Sequence, residues 1–277
     1  MSDEVVDKDE GPFPIEPDVP HLARVRNAIS GGDANFTVDR DVAKSLVDIT
    51  PSGLEGLQAV IEALHRFKMR AVRAVATESD VRQFLHLGTA TPSTGMVHEH
   101  VLPLVPDARI VYASYDTTTL AHVHDLWRDA PDGAVAHVHS RFEDPDKILR
   151  GAAETLDLGK PIAVVLPTSL NVLTDEVAQQ LIDALREALA SGSYMAMAQT
   201  SLDIYAEGAA EVVELLDSVL AEPYIARTKE QIAHHLEGFD LVEPGLVPIE
   251  QWRSEGDPPF LPDGQLIPLF GALGRKP

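Results

Sequence analysis

Val81-Arg-Gln-Phe-Leu-His-Leu-Gly88 is the stretch on which the fold prediction depends, because this short apolar run ends in glycine and opens an alternation of strands and helices. Four similar apolar runs follow, at residues 108–114, 134–140, 161–166 and 193–198. Segments with helical periodicity separate the runs, at about 95–104, 117–128, 145–156 and 175–190. This alternation is typical of βαβ units with a parallel sheet, and nearly continuous apolar strands fit a sheet that is covered on both faces.

The C-terminal part of the chain closes the sheet in a different way. Helical segments near 205–221 and 228–237 lead to two more apolar runs, at 239–242 and 266–273. Only a proline-rich loop separates these two runs, and consecutive strands without a crossover helix form an antiparallel hairpin. The sequence therefore predicts an α/β domain with a seven-stranded, mostly parallel sheet and a C-terminal antiparallel hairpin at its edge.

The N-terminal part has two different compositions. Residues 1–18 are acidic and rich in proline, so we predict a disordered tail there, because such a segment buries too little apolar surface to fold. Residues 19–80 show helical periodicity and contain a long amphipathic segment at 54–76. We predict that residues 19–80 form a helical cap, which makes one structural unit with the sheet domain at 81–277.

Charge and composition limit the classes of partner. The chain of 277 residues has 22 lysines and arginines against 44 acidic residues, a formal net charge of -22. Nucleic acids and anionic membranes both need a positive surface, so we expect neither as a partner. There is no cysteine, which excludes disulfides, thiolate metal sites and cysteine nucleophiles. Without a membrane-spanning run or a signal peptide, we expect a soluble, cytoplasmic protein.

The candidate ligand-binding residues are those that end the first three predicted strands, because ligands of open parallel sheets bind at the carboxyl ends of the strands. They are His86, Gly88, Thr89 and Ala90, then Ser114, Tyr115 and Asp116, and finally Ser140, Arg141 and Phe142. Gly88 permits a ligand to approach the backbone, although a plain strand-to-helix turn explains it equally well. Asp116 either grips ribose hydroxyls or caps the helix that follows it, and both alternatives stay open.

Histidines suggest a metal site that we judge to be absent. His137 and His139 alternate on one predicted strand and so point to one face, while His86 ends a neighbouring strand. Three imidazoles near one crevice could bind zinc. However, histidine is frequent throughout the chain, with 11 residues, and no metal-binding motif is present. We therefore predict no metal.

Several motifs resemble those of one known family. The cap carries Arg24-Val-Arg-Asn-Ala-Ile-Ser-Gly31-Gly32-Asp-Ala-Asn35-Phe36-Thr-Val-Asp39-Arg40. This stretch resembles the signature Arg-(Ile/Val)-Tyr-Asp-Tyr-Leu-Leu-Gly-Gly-Lys-Asp-Asn-Phe-x-x-Asp-Arg of a bacterial S-adenosylmethionine-dependent methyltransferase-like family. Arg82-Gln-Phe-Leu, Pro106-Asp-Ala-Arg-Ile-Val-Tyr, Arg227-Thr-x-Glu-Gln-Ile and Leu241-Val-Glu-Pro-Gly resemble later segments of that family, in the same order.

The resemblance extends from Val19 to the end of the chain and carries expectations about fold and ligand. It implies a Rossmann-like class I methyltransferase fold with S-adenosylmethionine as the cofactor. It also implies that seven positions of the cap signature lie against the substrate or cofactor: Arg24, Asn27, Gly31, Gly32, Asn35, Phe36 and Arg40. Within this signature, Arg26-Asn27-Ala28 replaces the family's Tyr-Asp-Tyr.

The other departures from the family's pattern fall in the cofactor site. His86 stands at the position of an aspartate and Ala90 at that of a glycine, while Ser114 and Arg141 replace two acids around the nucleoside. A carboxylate that accepts both ribose hydroxyls makes two charge-assisted hydrogen bonds, together about 3–6 kcal/mol. A micromolar ligand binds with only about -8 kcal/mol. We therefore expect S-adenosylmethionine to bind weakly.

Three classes of function are consistent with these observations. The first is methyl transfer from S-adenosylmethionine to an unknown small molecule. The second is a catalytically degenerate methyltransferase fold that binds another small ligand or a protein partner. The third is a different reaction in the same crevice, for example a metal-assisted one. No motif identifies the catalytic residues, and a homodimer is left open.

Overall fold

The computed structural model describes residues 16–88, 96–115, 130–255 and 266–277. Thr89, Ala90, Asp116 and the helix predicted at 117–128 lie outside these ranges, as does most of the predicted acidic tail. The disordered tail therefore stays a prediction. Among the described residues, no helix is both long enough and apolar enough to cross a membrane.

Helices and strands alternate through the described residues. The helices are α1 (Leu22–Ile29), α2 (Thr37–Ile49), α3 (Gly53–Glu78), α4 (Val97–Val101), α5 (Pro145–Ala152), α6 (Asp175–Ala188), α7 (Ala209–Val219) and α8 (Lys229–His235). The strands are β1 (Gln83–Leu87), β2 (Arg109–Ser114), β3 (Val135–His139), β4 (Ala163–Pro167), β5 (Tyr194–Thr200), β6 (Asp240–Leu241), β7 (Val247–Pro248) and β8 (Leu269–Arg275). Short 3-10 helices follow β4, at Ser169–Val172, and β7, at Ile249–Gln251.

The sheet has the predicted mixed topology. Its strand order is β3-β2-β1-β4-β5-β8-β6, and β7 pairs with β8 outside that path. Strands β1 to β5 run parallel, whereas β8 runs antiparallel to β5 and β6. This confirms a mostly parallel sheet with a C-terminal antiparallel hairpin. Within the described residues the predicted count of seven strands becomes eight, because two residues of the proline-rich loop, Val247 and Pro248, form a short bridge to β8.

Both faces of the sheet are covered, which explains the nearly continuous apolar strands. In the buried strand β1, Leu85 and Leu87 pack in one hydrophobic cluster with Ile148 of α5. Phe84 points to the opposite face and packs in a second cluster with Phe67 of α3. Successive side chains of a strand point to opposite faces, so a strand between two helical layers needs apolar residues at every position.

The hydrophobic cluster of the helical cap includes a helix from the C-terminal half of the chain, which the sequence did not indicate. Val25 of α1 and Leu46 of α2 pack in a third hydrophobic cluster with Leu216 of α7, which follows β5. The long helix α3 belongs to both units. Its C-terminal half covers the sheet through residues such as Phe67, while Leu57 near its N-terminus packs against the cap cluster. Helix α3 therefore packs both against the sheet and against the cap cluster.

His235, at the end of α8, is buried beside the sheet. Its Nδ1 atom lies 2.9 Å from Nε2 of Gln199 on β5 and accepts a hydrogen bond from that amide. Burial, together with the charge of Arg227, lowers the pKa of His235 from 6.5 to about 4. In the unfolded chain the imidazole binds its proton at a higher pH than in the folded chain. The contribution of this residue to stability is therefore complete above about pH 6.5 and is lost as the pH falls toward about 4.

We expect His235→Asn to make the protein less sensitive to acid. Asparagine retains an acceptor for Gln199 but does not titrate. Between about pH 6.5 and about pH 4, the variant should lose about 2–3 kcal/mol less unfolding free energy than the unmodified protein, because one pKa unit corresponds to about 1.4 kcal/mol. Denaturant unfolding across this pH range measures the difference. Parallel pH profiles for the two proteins would show that His235 does not titrate in this way.

Candidate functional site

A cavity of about 210 Å³ lies at the carboxyl ends of β1, β4 and β5. The strand order reverses between β1 and β4, and this is where open α/β sheets bind their ligands. Helices α1, α3 and α7 enclose the other sides. Their contribution is mainly aliphatic: Leu22, Leu57, Val60, Ile61, Leu64, Val212 and Val213. The cavity therefore offers an apolar volume directly beside the strand ends.

The floor of the cavity depends on a close approach of β1 to the chain that follows β4. Ser169 donates a hydrogen bond from its hydroxyl to the carbonyl of Leu87. Gly88 has a φ of 134°, and a Cβ atom there would lie 3.0 Å from Ser169 Oγ. Gly88 is thus required both by its backbone conformation and by the neighbouring hydroxyl.

His86 lies in the same floor and is fully buried. Its ring meets the ring of Tyr112 edge-on, with 5.4 Å between the centroids. Neither ring nitrogen has a hydrogen-bond partner among the described residues. Burial, aided by the nearby charge of Lys68, holds the pKa of His86 well below its ordinary value. The imidazole is therefore neutral, with one N–H donor and one acceptor.

Thr168 joins the end of β4 to the cap. Its φ of 63° places it in the left-handed region, which is costly for a β-branched residue. Its hydroxyl donates to the carbonyl of Pro167, at 2.6 Å, and accepts from Nη1 of Arg26 on α1, at 2.9 Å. Arg26, which departs from the family signature, therefore ties α1 to the sheet at the cavity.

Tyr115 and its neighbours close the side of the cavity next to β2. The Tyr115 hydroxyl donates to Oε1 of Glu222, at 2.8 Å, and the Arg141 guanidinium lies 4.7 Å from the centre of its ring. His21 and Phe142 meet the same ring edge-on. We call these five residues the Tyr115 cluster. Burial and then the charge of Glu222 raise the pKa of Tyr115, so the hydroxyl keeps its proton and acts as a donor.

Ser114 lies behind the Tyr115 cluster and is already engaged. Its side chain is buried, with 3% of the residue exposed, and a 3.1 Å hydrogen bond joins Oγ to Nε2 of His137. The imidazole of His139 donates to the carbonyl of Tyr115, at 3.2 Å. His137 and His139 thus bond to β2 and its end, away from His86. Within the described ranges, no group of three or more histidine or acidic side chains could hold a metal.

The predicted ligand-binding residues divide into three groups. His86, Gly88, Tyr115 and Phe142 line the cavity. Ser114, Ser140 and Arg141 lie at the same strand ends but do not line it. Thr89, Ala90 and Asp116 are outside the described residues. Of the seven described residues, the strand ends thus bring four to the cavity and leave three beside it.

The signature residues of the cap contact one another and not the cavity. Asn35 donates from Nδ2 to Oδ1 of Asn27, at 2.9 Å, and accepts from Arg40 at 2.9 Å. Gly32 packs against the amide of Asn27, so closely that a Cβ atom would lie 2.3 Å from Nδ2. Gly31, with a φ of 77°, ends α1. These residues brace the turn between α1 and α2.

Asp39 is the buried centre of the same turn. Its carboxylate accepts from Nε of Arg24, at 3.0 Å, and from the backbone amides of His21 and Phe36, at 2.9 and 2.8 Å. The Arg24 guanidinium also lies over the ring of Phe36. In the described structure none of the seven predicted cap residues lines the cavity. Their arrangement indicates a structural role in holding α1 over the site.

Two basic residues of α3 line the cavity and were not predicted. His65 and Lys68 lie one turn apart on α3 and line the same cavity as His86. Burial lowers the pKa of Lys68 to about 8 and that of His65 to about 4. A signal was available, because Lys68 falls four residues after Leu64 in the apolar stripe of α3. A lysine in such a stripe is buried or points into a cavity.

Two solved structures resemble the chain over nearly its full length. One, a candidate methyltransferase from Thermobifida fusca YX, is 32% identical, with a TM-score of 0.82 over 93% of this chain and 95% of that chain. The other, a DUF574 family protein from Streptomyces avermitilis MA-4680, is 29% identical, with a TM-score of 0.84 over 95% and 100% of the two chains. No curated protein matches the sequence.

The topology and the cavity at the strand switch point define a Rossmann-like methyltransferase fold. The model of the S-adenosyl methyltransferase family matches residues 8–277. The protein therefore belongs to this family of S-adenosylmethionine-dependent methyltransferases, as the resemblance of its motifs implied.

Proposed function

We propose that the protein transfers a methyl group from S-adenosylmethionine to a small apolar molecule held in the cavity. One observation carries this proposal: a single cavity extends from Gly88 at the strand ends to the aliphatic walls of α3 and α7. Donor and acceptor could therefore occupy one enclosed volume. Methyl transfer depends mainly on holding the two reactants in line, so the absence of an obvious base is not an objection.

The residues at the strand ends fit the cofactor. Gly88 admits a close approach to the backbone, and His86 offers two unpartnered ring nitrogens. Tyr115 and Phe142 offer aromatic surface on the nucleoside side. When bound, S-adenosylmethionine supplies an electrophilic methyl group on a sulfonium ion. The chain positions the acceptor, and the aliphatic residues of α3 and α7 exclude water from it.

The cofactor is expected to bind weakly, for a reason that geometry supports. Ser114 replaces the acid that grips the ribose hydroxyls, and its own hydroxyl is buried and bonded to His137. Arg141 brings a positive charge to the position of a second acid. Neither residue carries a negative charge, so neither can accept a charge-assisted hydrogen bond from a ribose hydroxyl.

Titration with S-adenosylhomocysteine tests the proposal. We expect a dissociation constant of about 0.1–1 mM, because a loss of about 3–4 kcal/mol, at the lower end of the range given above, weakens a micromolar ligand by about 100-fold to 1,000-fold. Val212 belongs to the aliphatic wall that we assign to the acceptor. Val212→Trp should fill this part of the cavity and abolish methylation of the compounds in a small-molecule library. The affinity for S-adenosylhomocysteine should stay unchanged. No binding at millimolar concentration would contradict the proposal. Micromolar binding would instead show that the substitutions at Ser114 and Arg141 are harmless.

The alternative function is a degenerate methyltransferase that binds a different ligand. The Tyr115 cluster favours it, because the bond to Glu222 and the stacked Arg141 occupy the side of the crevice where a nucleoside would lie. If this alternative is correct, the unmodified protein does not bind S-adenosylhomocysteine, and Tyr115→Phe should not bind it either. If the cluster merely obstructs the cofactor, the same variant should bind it more tightly.

A further inference from the structure

We infer that His65, Lys68 and His86 form a subsite for a carboxylate group of the molecule that occupies the cavity. We call these three residues the basic end. The inference rests on the proposed function, because it concerns the same cavity, and it specifies the ligand: a small acid with an apolar body.

Unsatisfied hydrogen-bonding groups carry the first step. The two ring nitrogens of His86 and Nδ1 of His65 are buried and have no partner among the described residues. A buried polar group without a partner is costly, so such groups in a cavity wall indicate a ligand that satisfies them. A neutral imidazole presents one N–H donor, and a carboxylate oxygen accepts from it.

Charge carries the second step. Lys68 is 5% exposed, and its ammonium group belongs to a wall that is otherwise mostly aliphatic. The charge of Glu99 acts on Lys68 and opposes the effect of burial on the pKa of the lysine, so the ammonium group is already part of an electrostatic network. An anion inside the cavity would interact with Lys68 in a region of low dielectric, where the attraction is strong.

The identity of residue 86 carries the third step. The neutral imidazole of His86 carries no negative charge that would repel a carboxylate, and it offers an N–H donor. Together with Lys68 it gives this end of the cavity a basic character.

The opposite walls determine the rest of the ligand. Glu222, on the far side, is already bonded to Tyr115. Between the two ends the lining is aliphatic, from α3 and α7. A molecule that fills this space therefore needs an acidic group at one end and an apolar body. Its carboxylate belongs either to the methyl acceptor or to the amino-acid part of the cofactor.

Matched probes test the subsite without knowledge of the natural ligand. Octanoate and octanamide have the same shape, but only octanoate carries a charge. We expect octanoate to bind the full-length protein about tenfold more tightly than octanamide by calorimetry. The preference should disappear in Lys68→Met, which keeps the length of the side chain, and in His86→Asp. Lys44→Met, at an exposed lysine paired with Asp48 on α2, is the matched control and should keep it.

A second pair of probes distinguishes the two sources of the carboxylate. S-adenosylhomocysteine contains the amino-acid carboxylate, and 5′-methylthioadenosine lacks it. If Lys68→Met weakens binding of S-adenosylhomocysteine but not of 5′-methylthioadenosine, the subsite holds the cofactor. If the octanoate preference, and its loss in Lys68→Met, persist in protein saturated with S-adenosylhomocysteine, the subsite holds the acceptor.

Equal binding of octanoate and octanamide, or a preference that survives both substitutions, would overturn the inference. Thermal unfolding of each variant verifies that it is folded. If Lys68→Met does not fold, His86→Asp alone tests whether the octanoate preference depends on the basic end. Failure of the proposed function looks different. If the protein prefers octanoate but does not bind S-adenosylhomocysteine, the subsite inference holds and the proposed methyl transfer is contradicted.

Discussion

Arg227→Met should lower the free energy of unfolding by about 3–5 kcal/mol. Arg227 is 1% exposed and lies between the 3-10 turn after β4 and the start of α8. Its guanidinium donates to the carbonyls of Leu170 and Leu173, at 2.6 and 2.8 Å, and to Oε1 of Gln199, at 3.2 Å. Methionine fills a similar volume but leaves these buried acceptors without a donor, and each such loss costs about 1–3 kcal/mol.

The ion pair of Arg227 contributes less than these bonds to carbonyls. Nε donates to Asp175 at 2.9 Å, but the Asp175 side chain is 63% exposed, so solvent screens the attraction. Asp175→Asn should therefore cost much less than Arg227→Met. The turn that Arg227 holds contains Ser169, whose hydroxyl shapes the cavity floor. Loss of the arginine should also weaken ligand binding.

Urea unfolding followed by circular dichroism measures the change. Arg150→Met, at an exposed arginine of α5, is the control and should change stability by less than about 0.5 kcal/mol. A loss below about 1 kcal/mol for Arg227→Met would show that water or rearranged backbone satisfies the carbonyls.

Restoring acids to the nucleoside side should tighten cofactor binding. We expect Ser114→Asp combined with Arg141→Asp to bind S-adenosylhomocysteine about tenfold or more tightly than the unmodified protein, about 1.4 kcal/mol. The carboxylate introduced at position 114 would lie beside Nε2 of His137, which can orient it, and could accept ribose hydroxyls. Removal of Arg141 also takes a positive charge away from the ring of Tyr115.

The two substitutions do not contribute equally. A carboxylate at position 141 comes near Glu222, which lies 3.7 Å from the Arg141 guanidinium, and like charges repel. Most of the gain should therefore come from Ser114→Asp. Calorimetric titration of the single and double variants separates the contributions.

The control places the same charges elsewhere. Gln180→Asp on α6 and Arg150→Asp on α5 alter exposed residues and give the same change in net charge. They should leave binding unchanged. Equal tightening by the control pair would show that net charge, and not contact with the nucleoside, is responsible.

Local patterns were sufficient to predict the architecture. The apolar runs that begin with Val81–Gly88 are strands, and the periodic segments between them, where described, are helices. Strand bounds moved by only a few residues, as for the last strand, predicted at 266–273 and observed at Leu269–Arg275. These features can be predicted because the spacing of buried positions in a strand or helix involves residues that are close together in the sequence.

The location of the crevice was also accessible from sequence, because the carboxyl ends of parallel strands must meet at one edge of the sheet. The roles of individual side chains there were not. Ser114 was correctly placed at the end of β2, yet its bond to His137 depends on the register between β2 and β3. Register is set by packing of whole strands, which no single residue reveals.

The cap shows the same division. Its motif is evident in the sequence, and Arg24, Asn35 and Phe36 are contiguous enough to suggest one functional unit. Only the folded chain shows that they surround Asp39 and brace a turn. The contribution of α7 was hidden because it comes from about 170 residues further along the chain than α2.

By itself, the sequence determined the α/β class, the parallel sheet with its terminal hairpin, the family and the edge of the sheet where the cavity lies. Each of these depends on periodicity or on motifs within a short stretch. The tertiary structure decided which groups face the cavity: His65 and Lys68 from α3, His86 from β1, and four residues of the Tyr115 cluster, namely His21, Tyr115, Phe142 and Glu222. Such a set forms only when distant segments pack against one another, and burial then changes the charge and hydrogen bonding of each group.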